Sequence, residues 1–81
     1  KDIEPILVTI SPGAQTEPDL PHMDEEFGHV LSGAVTLMLG EKAYRVRKGD
    51  SFSYKPTTRH YLENTGKTPA TVIWVCTPPN F

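Results

Sequence analysis

Residues 41–55 read EKAYRVRKGDSFSYK, and this stretch decides the fold. Ala43, Arg45 and Arg47 alternate with Tyr44 and Val46, the period-two pattern of a strand with one wet face. Lys48-Gly49-Asp50 is a turn signal. Beyond it Phe52 and Tyr54 point one way while Ser51, Ser53 and Lys55 point the other. Two short strands joined by a tight turn are predicted over Glu41–Arg47 and Ser51–Lys55. The same grammar continues outward. Upstream, Ala34–Leu39 (AVTLML) runs into the Gly40-Glu41 turn, Phe27–Leu31 (FGHVL) closes at Ser32-Gly33, and Ile6–Ile10 (ILVTI) lies between Pro5 and Ser11-Pro12-Gly13. The polar stretch Ser11–Pro21, with Pro12, Pro18 and Pro21, reads as a loop. Downstream, residues 56–59 form a loop, His60–Glu63 a short strand and Asn64-Thr65-Gly66-Lys67 a hairpin-type connection. Ala70–Cys76 (ATVIWVC) is apolar on both parities and predicts a strand buried on both faces. No stretch carries apolar residues at helical spacing for three turns without a Pro or Gly. Seven or eight short strands mean an all-β sandwich or barrel.

At 81 residues and 9.0 kDa the chain is one domain, spanning 1–81. Eight Lys+Arg against ten Asp+Glu leave a net charge of −2, which argues against a nucleic-acid clamp or an anionic-membrane binder. Cys76 is the single cysteine, so no internal disulfide forms; a reducing, cytoplasmic setting is expected. No run is apolar enough to span a bilayer, and no membrane partner is expected. The chain opens at Lys1 without Met and reads as a fragment of something longer.

Chemistry-bearing residues fall in two places. In an extended segment, even spacing puts His22, Asp24 and Glu26 on one face with Gly28 and Val30, whereas His29 faces away. His60 stands apart, followed four residues on by Asn64. Two histidines and a carboxylate that meet make a facial metal site with open positions, suited to divalent Fe, Mn, Zn or Ni. The same residues also suit a hydrogen-bonded polar cluster without metal. Tyr54 shares the parity of Phe52 and is expected to line a pocket. Arg59, beside His60, is the candidate contact for an anionic ligand, against the plainer reading of a solvated loop arginine. Tyr61 and Trp74 read as core or interface. No serine sits in a triad arrangement, and no glycine-rich phosphate cradle is present.

These residues resemble the two motifs of the cupin superfamily. Gly13, His22, Glu26 and Gly33 fall at the spacing of the first motif, and Gly49, Pro56, His60 and Asn64 at that of the second, with Pro56 one place late. The first histidine of the usual pair is replaced by Leu20. The resemblance implies a cupin double-stranded β-helix, a small jelly-roll barrel, with His22, Glu26 and His60 as remaining metal ligands and weakened metal binding.

A narrower resemblance lies in residues 22–33 (HMDEEFGHVLSG) and the ending WVCTPPNF at 74–81, which look like the C-terminal sensor cupin of XRE-type helix-turn-helix regulators, the putrescine-responsive repressors included. It implies a small-molecule effector bound in the barrel near Tyr54 and Arg59. It also implies a homodimer, and contact with DNA only through a domain absent from this chain. The alternative is a small stand-alone metal-dependent enzyme of dioxygenase or isomerase type; a third reading is a dimerisation module with an empty barrel. The strand Ile6–Ile10, apolar on both parities, is an edge expected to be paired or covered, which also points to a homodimer.

Overall fold

The computed structural model describes residues 4–16, 25–55 and 58–77. Seven strands follow in order: β1 (Glu4–Ile10), β2 (Glu25–Ser32), β3 (Ala34–Leu39), β4 (Lys42–Arg47), β5 (Ser51–Tyr54), β6 (His60–Glu63) and β7 (Ala70–Thr77). Each contains or closely overlaps a stretch expected as a strand from its alternation or its apolar run between turn signals. The strands form two antiparallel sheets, one ordered β1-β7-β2-β5 and the other β4-β3-β6. No helix is long and apolar enough to cross a membrane among the described residues.

The sheets face one another over a core of Ile10, Val30, Val35, Leu37, Val46, Leu62, Ala70, Val72 and Trp74, all buried. Fully burying one Val or Leu side chain contributes about 1.5–3 kcal/mol, so this cluster is the main stabilising term. In β4 only Val46 is buried, as its position opposite Val35 requires. In β5 Phe52 and Tyr54 turn inward and Ser51 and Ser53 outward. The chain passes from the first sheet to the second at Gly33. Its φ is +73°, and a Cβ there would lie 2.6 Å from the Pro69 carbonyl oxygen, so only glycine fits.

One expectation changes. β7 lies inside its sheet, between β1 and β2, yet only Ala70, Val72 and Trp74 are buried; Thr71, Ile73 and Val75 are half-buried. Among the described residues its second face carries no further layer, so an apolar residue of either parity tells nothing about which face is covered.

The edge of β6 is met by the loop after β1. Gly13 N–H donates to Asn64 O at 2.8 Å, Asn64 N–H to Ala14 O at 2.9 Å, and Thr16 N–H to Leu62 O at 2.9 Å. Asn64 itself is buried. Its side-chain amide donates to Ile10 O (2.9 Å) and Thr68 O (2.8 Å), and its carbonyl accepts from Gly66 N–H (2.9 Å). This second-motif asparagine is therefore a cross-link between the ends of β1 and β6.

Candidate functional site

β2 runs between β7 and β5, so a carboxylate on its inner face has a neighbour on each side. Glu26 is that residue, and Tyr54 stands directly opposite it in the β2–β5 register. Glu26 is 3% exposed and His60 wholly buried, an unusual setting for a carboxylate unless its oxygens are engaged. They are. Trp74 Nε1–H donates to Glu26 Oε1 at 2.7 Å and the Tyr54 hydroxyl to the same oxygen at 3.1 Å, while His60 Nε2 lies 2.9 Å from Oε2. His60 comes from β6 of the opposite sheet, so its contact with Glu26 bridges the two layers. The His60 ring also meets Tyr54 edge-on, with centroids 5.6 Å apart.

The second ring nitrogen settles the tautomer. His60 Nδ1 lies 2.9 Å from the Thr58 carbonyl oxygen, which can only accept, so Nδ1 carries a hydrogen. Nε2 and Glu26 Oε2 are within hydrogen-bond distance of one another at 2.9 Å. A divalent ion bound here would be held by His60 Nε2 and Glu26 Oε2. Two neighbouring ligands each about 2.1 Å from one metal stand about 3 Å apart, and the observed separation of 2.9 Å fits that. Tyr54 and Trp74 then hold the other carboxylate oxygen, the second layer of support that ligating carboxylates usually have. Glu26 and His60 therefore fit as two ligands. Of the remaining expected positions, His22 and Leu20 lie outside the described residues, and no group of three metal-binding side chains occurs among the described ones.

Beside this pair the layers part. A cleft of about 540 Å³ separates β4 from β5, lined by Leu37 and Leu39 of β3, Tyr44 and Val46 of β4, and Phe52 and Tyr54 of β5. The rings of Phe52 and Tyr54 lie near-parallel at 6.1 Å. Tyr54 is shared by the cleft and the Glu26 cluster. The charged residues along the cleft are Arg45 and Asp50. The Arg45 guanidinium reaches Thr65 Oγ1 at 3.2 Å, and Asp50 Oδ2 accepts from Arg47 N–H at 3.0 Å across the turn.

Of the expected site residues, Glu26, His60 and Tyr54 come together, and His22 lies outside the described residues. Arg59 is exposed and does not line the cleft. His29 faces outward, as its parity requires, and bonds Ser51 Oγ at 2.7 Å. Trp74 is buried in the core, as expected, and its Nε1–H also reaches into the cluster, which was not expected. The available signal was that it shares parity with Val72 on a strand beside β2, and without the strand order that signal could not be used.

The comparisons support the fold. Mannose-1-phosphate guanylyltransferase RfbM of Salmonella typhimurium is 36% identical over 66 residues, covering 82% of this chain and 14% of that protein. A sugar phosphate isomerase of the cupin superfamily from Silicibacter pomeroyi matches with a TM-score of 0.85 at 27% identity, over 98% of this chain and 52% of that one. The cupin domain of an XRE family transcriptional regulator from Enterobacter cloacae matches with a TM-score of 0.86 at 16% identity, over 98% of this chain and 84% of that one; at such identity the likeness is one of fold. The chain thus spans 14% of one relative and about half of another. The Cupin_2 profile, described as a cupin domain, covers residues 6–76, and the chain belongs to that family.

Proposed function

We propose that this chain is the effector-sensing cupin domain of a DNA-binding transcriptional regulator. The observation that carries it is the aromatic cleft between β4 and β5, which ends at Tyr54 and through it at the buried Glu26–His60 pair. Its volume of about 540 Å³ lies within the usual range for small-molecule sites, roughly 300–1,000 Å³. A small molecule there would act as a switch by binding one conformation of the regulator more tightly than another. A divalent ion held by Glu26 and His60 would supply a Lewis-acidic anchor for a polar end of that ligand. The part that reads DNA would lie outside this chain, whose net charge is −2. The test is mass spectrometry of small molecules released from the purified protein, followed by titration with each while the emission of Trp74, the one tryptophan, is recorded. A saturable change that weakens in Tyr54→Ala supports sensing. No retained compound, together with no response to a broad metabolite panel, overturns it.

The likeness to the guanylyltransferase and the isomerase favours a second reading, a metal-dependent enzyme acting on sugar phosphates. The cleft speaks against it, because among the described residues lining it the one cationic side chain is Arg45, which is turned to Thr65. Interconversion of an aldose and a ketose phosphate by the metal-supplemented protein, lost in Glu26→Gln, would establish the enzyme instead.

A further inference from the structure

Among the described residues the two sheets do not close on each other beside β4. β5 ends the order β1-β7-β2-β5 and β4 ends the order β4-β3-β6, so two strand edges flank the cleft. Its lining takes consecutive residues from both, 44–46 and 50–54, as happens along an open edge rather than over one face of a sheet. The main-chain directions on β4 follow from its two ends. Gly40 and Glu41 make a two-residue connection from β3, which closes on the hydrogen-bonded pair Leu39 and Lys42. At the other end Arg47 serves the turn: its N–H donates to Asp50 Oδ2 at 3.0 Å and its carbonyl accepts from Asp50 N–H at 2.8 Å. In an antiparallel ladder alternate residues exchange both bonds with the neighbour. Lys42, Tyr44 and Val46 therefore face β3, while Ala43 and Arg45 turn their N–H and C=O to the open side, and both residues are exposed.

We propose that an extended acidic peptide of another protein adds as a strand to this free edge of β4. Charge selects that occupant. Four of the chain's eight Lys and Arg (Lys42, Arg45, Arg47 and Lys48) follow one another along the edge with no acid among them. All four are exposed, and among the described residues none is held in an ion pair. Of the nearby acids, Asp50 is engaged by Arg47 N–H, Glu41 sits in the preceding turn, and Glu63 lies beyond Thr36 from Arg45. An edge of one sign repels a second copy of itself and attracts a strand of the opposite sign. Main-chain bonds to Ala43 and Arg45 supply affinity, and side chains of alternate parity supply specificity. One parity of the added strand lies toward the apolar cleft by Tyr44, Val46 and Phe52; the other lies on the side of Arg45 and Arg47. The matching peptide thus alternates apolar and acidic residues. This goes beyond the effector reading and does not need it, because an edge pairs through its main chain whatever small molecule the cleft takes.

Fluorescence anisotropy of the 81-residue chain with a labelled peptide of alternating Glu and Val, about eight residues long to match a strand, tests this. Saturable binding with a dissociation constant below about 1 mM is expected. Methylating the peptide's main-chain nitrogens should weaken it at least about fivefold, since the donors are lost. Ala43→Pro removes an outward N–H that β3 does not use and should weaken binding similarly, whereas Ala43→Val keeps the N–H and should bind like wild type. Arg45→Glu should weaken the acidic peptide and not an alternating Lys and Val peptide. Circular dichroism checks that each variant is folded. Absence of saturable binding to the wild-type chain overturns the proposal. So does equal binding of the methylated peptide, or of the unmodified peptide to a folded Ala43→Pro variant, which would leave charge alone as the cause. A short DNA duplex that binds more tightly than the peptide and ignores Ala43→Pro would make the edge a polyanion surface instead. Self-association of the wild-type chain that Ala43→Pro abolishes would put a second copy on the edge, and also overturns the proposal.

Discussion

Tyr54 and Trp74 donate to one and the same oxygen, Glu26 Oε1, from strands on opposite sides of β2. Each donor supports a carboxylate that water does not reach, so removing one leaves the other partly to compensate. Tyr54→Phe is expected to cost about 1–2 kcal/mol, within the range for removing one partner of a buried hydrogen bond. Trp74→Phe should cost more, about 2–4 kcal/mol, because it also leaves space in the core. The double variant should lose more than the two single losses added, since Oε1 then has neither donor. Urea unfolding of the four proteins checks this; simple additivity would mean that the two donors act independently.

Asn64 offers a sharper test of hydrogen-bond polarity. Its amide donates to two carbonyls, those of Ile10 and Thr68, and Asp at this position offers no donor when ionised. Asn64→Asp changes almost no volume, yet it should destabilise by about 2–4 kcal/mol, from two lost bonds and a buried charge facing carbonyl oxygens. Thermal unfolding at neutral pH is the measurement. A change below about 0.5 kcal/mol, the level of an inert surface substitution, would show that the cross-link contributes nothing.

Gly28 and Phe52 face one another in the β2–β5 register, and a Cβ on Gly28 would run into the Phe52 ring. The glycine exists to make room for the ring. Gly28→Ala is expected to lose about 1–3 kcal/mol through overpacking. The ring also walls the cleft, so ligand affinity should fall in the same variant. Adding Phe52→Leu should restore part of the stability without restoring affinity. Calorimetry and ligand titration on both variants separate the two effects.

Metal binding by Glu26, His60 and the expected third ligand His22 is predicted to be weak, with Leu20 at the place of a fourth. His60→Ala should abolish uptake of Ni²⁺ or Mn²⁺ in equilibrium dialysis, and Leu20→His should raise it. Uptake that survives His60→Ala would remove these residues as the site. Because His60→Ala also breaks a buried pair, a cost of about 3–5 kcal/mol, circular dichroism must accompany the dialysis, and Glu26→Gln, which keeps the shape, serves as the second variant.

Much of this protein was legible in order of residues. Alternation along residues 41–55, apolar β-branched runs, turn glycines and two histidine-bearing motifs located the described strands and led to the cupin family, because strand periodicity and turn chemistry are local properties. Parity likewise sent Tyr54 inward and His29 outward. What only the tertiary structure decided is who meets whom. Strand order put β7 and β5 on either side of β2, and so brought Trp74 to the Glu26 oxygen that Tyr54 also holds. The facing of the two sheets brought His60 to the other oxygen, 34 residues away in the chain. It also left Thr71, Ile73 and Val75 of β7 half-exposed, although Ala70–Cys76 is apolar on both parities. Pairing between strands depends on long-range hydrogen bonds and on which apolar face finds a cover, and neither is written in the spacing of residues along a single strand.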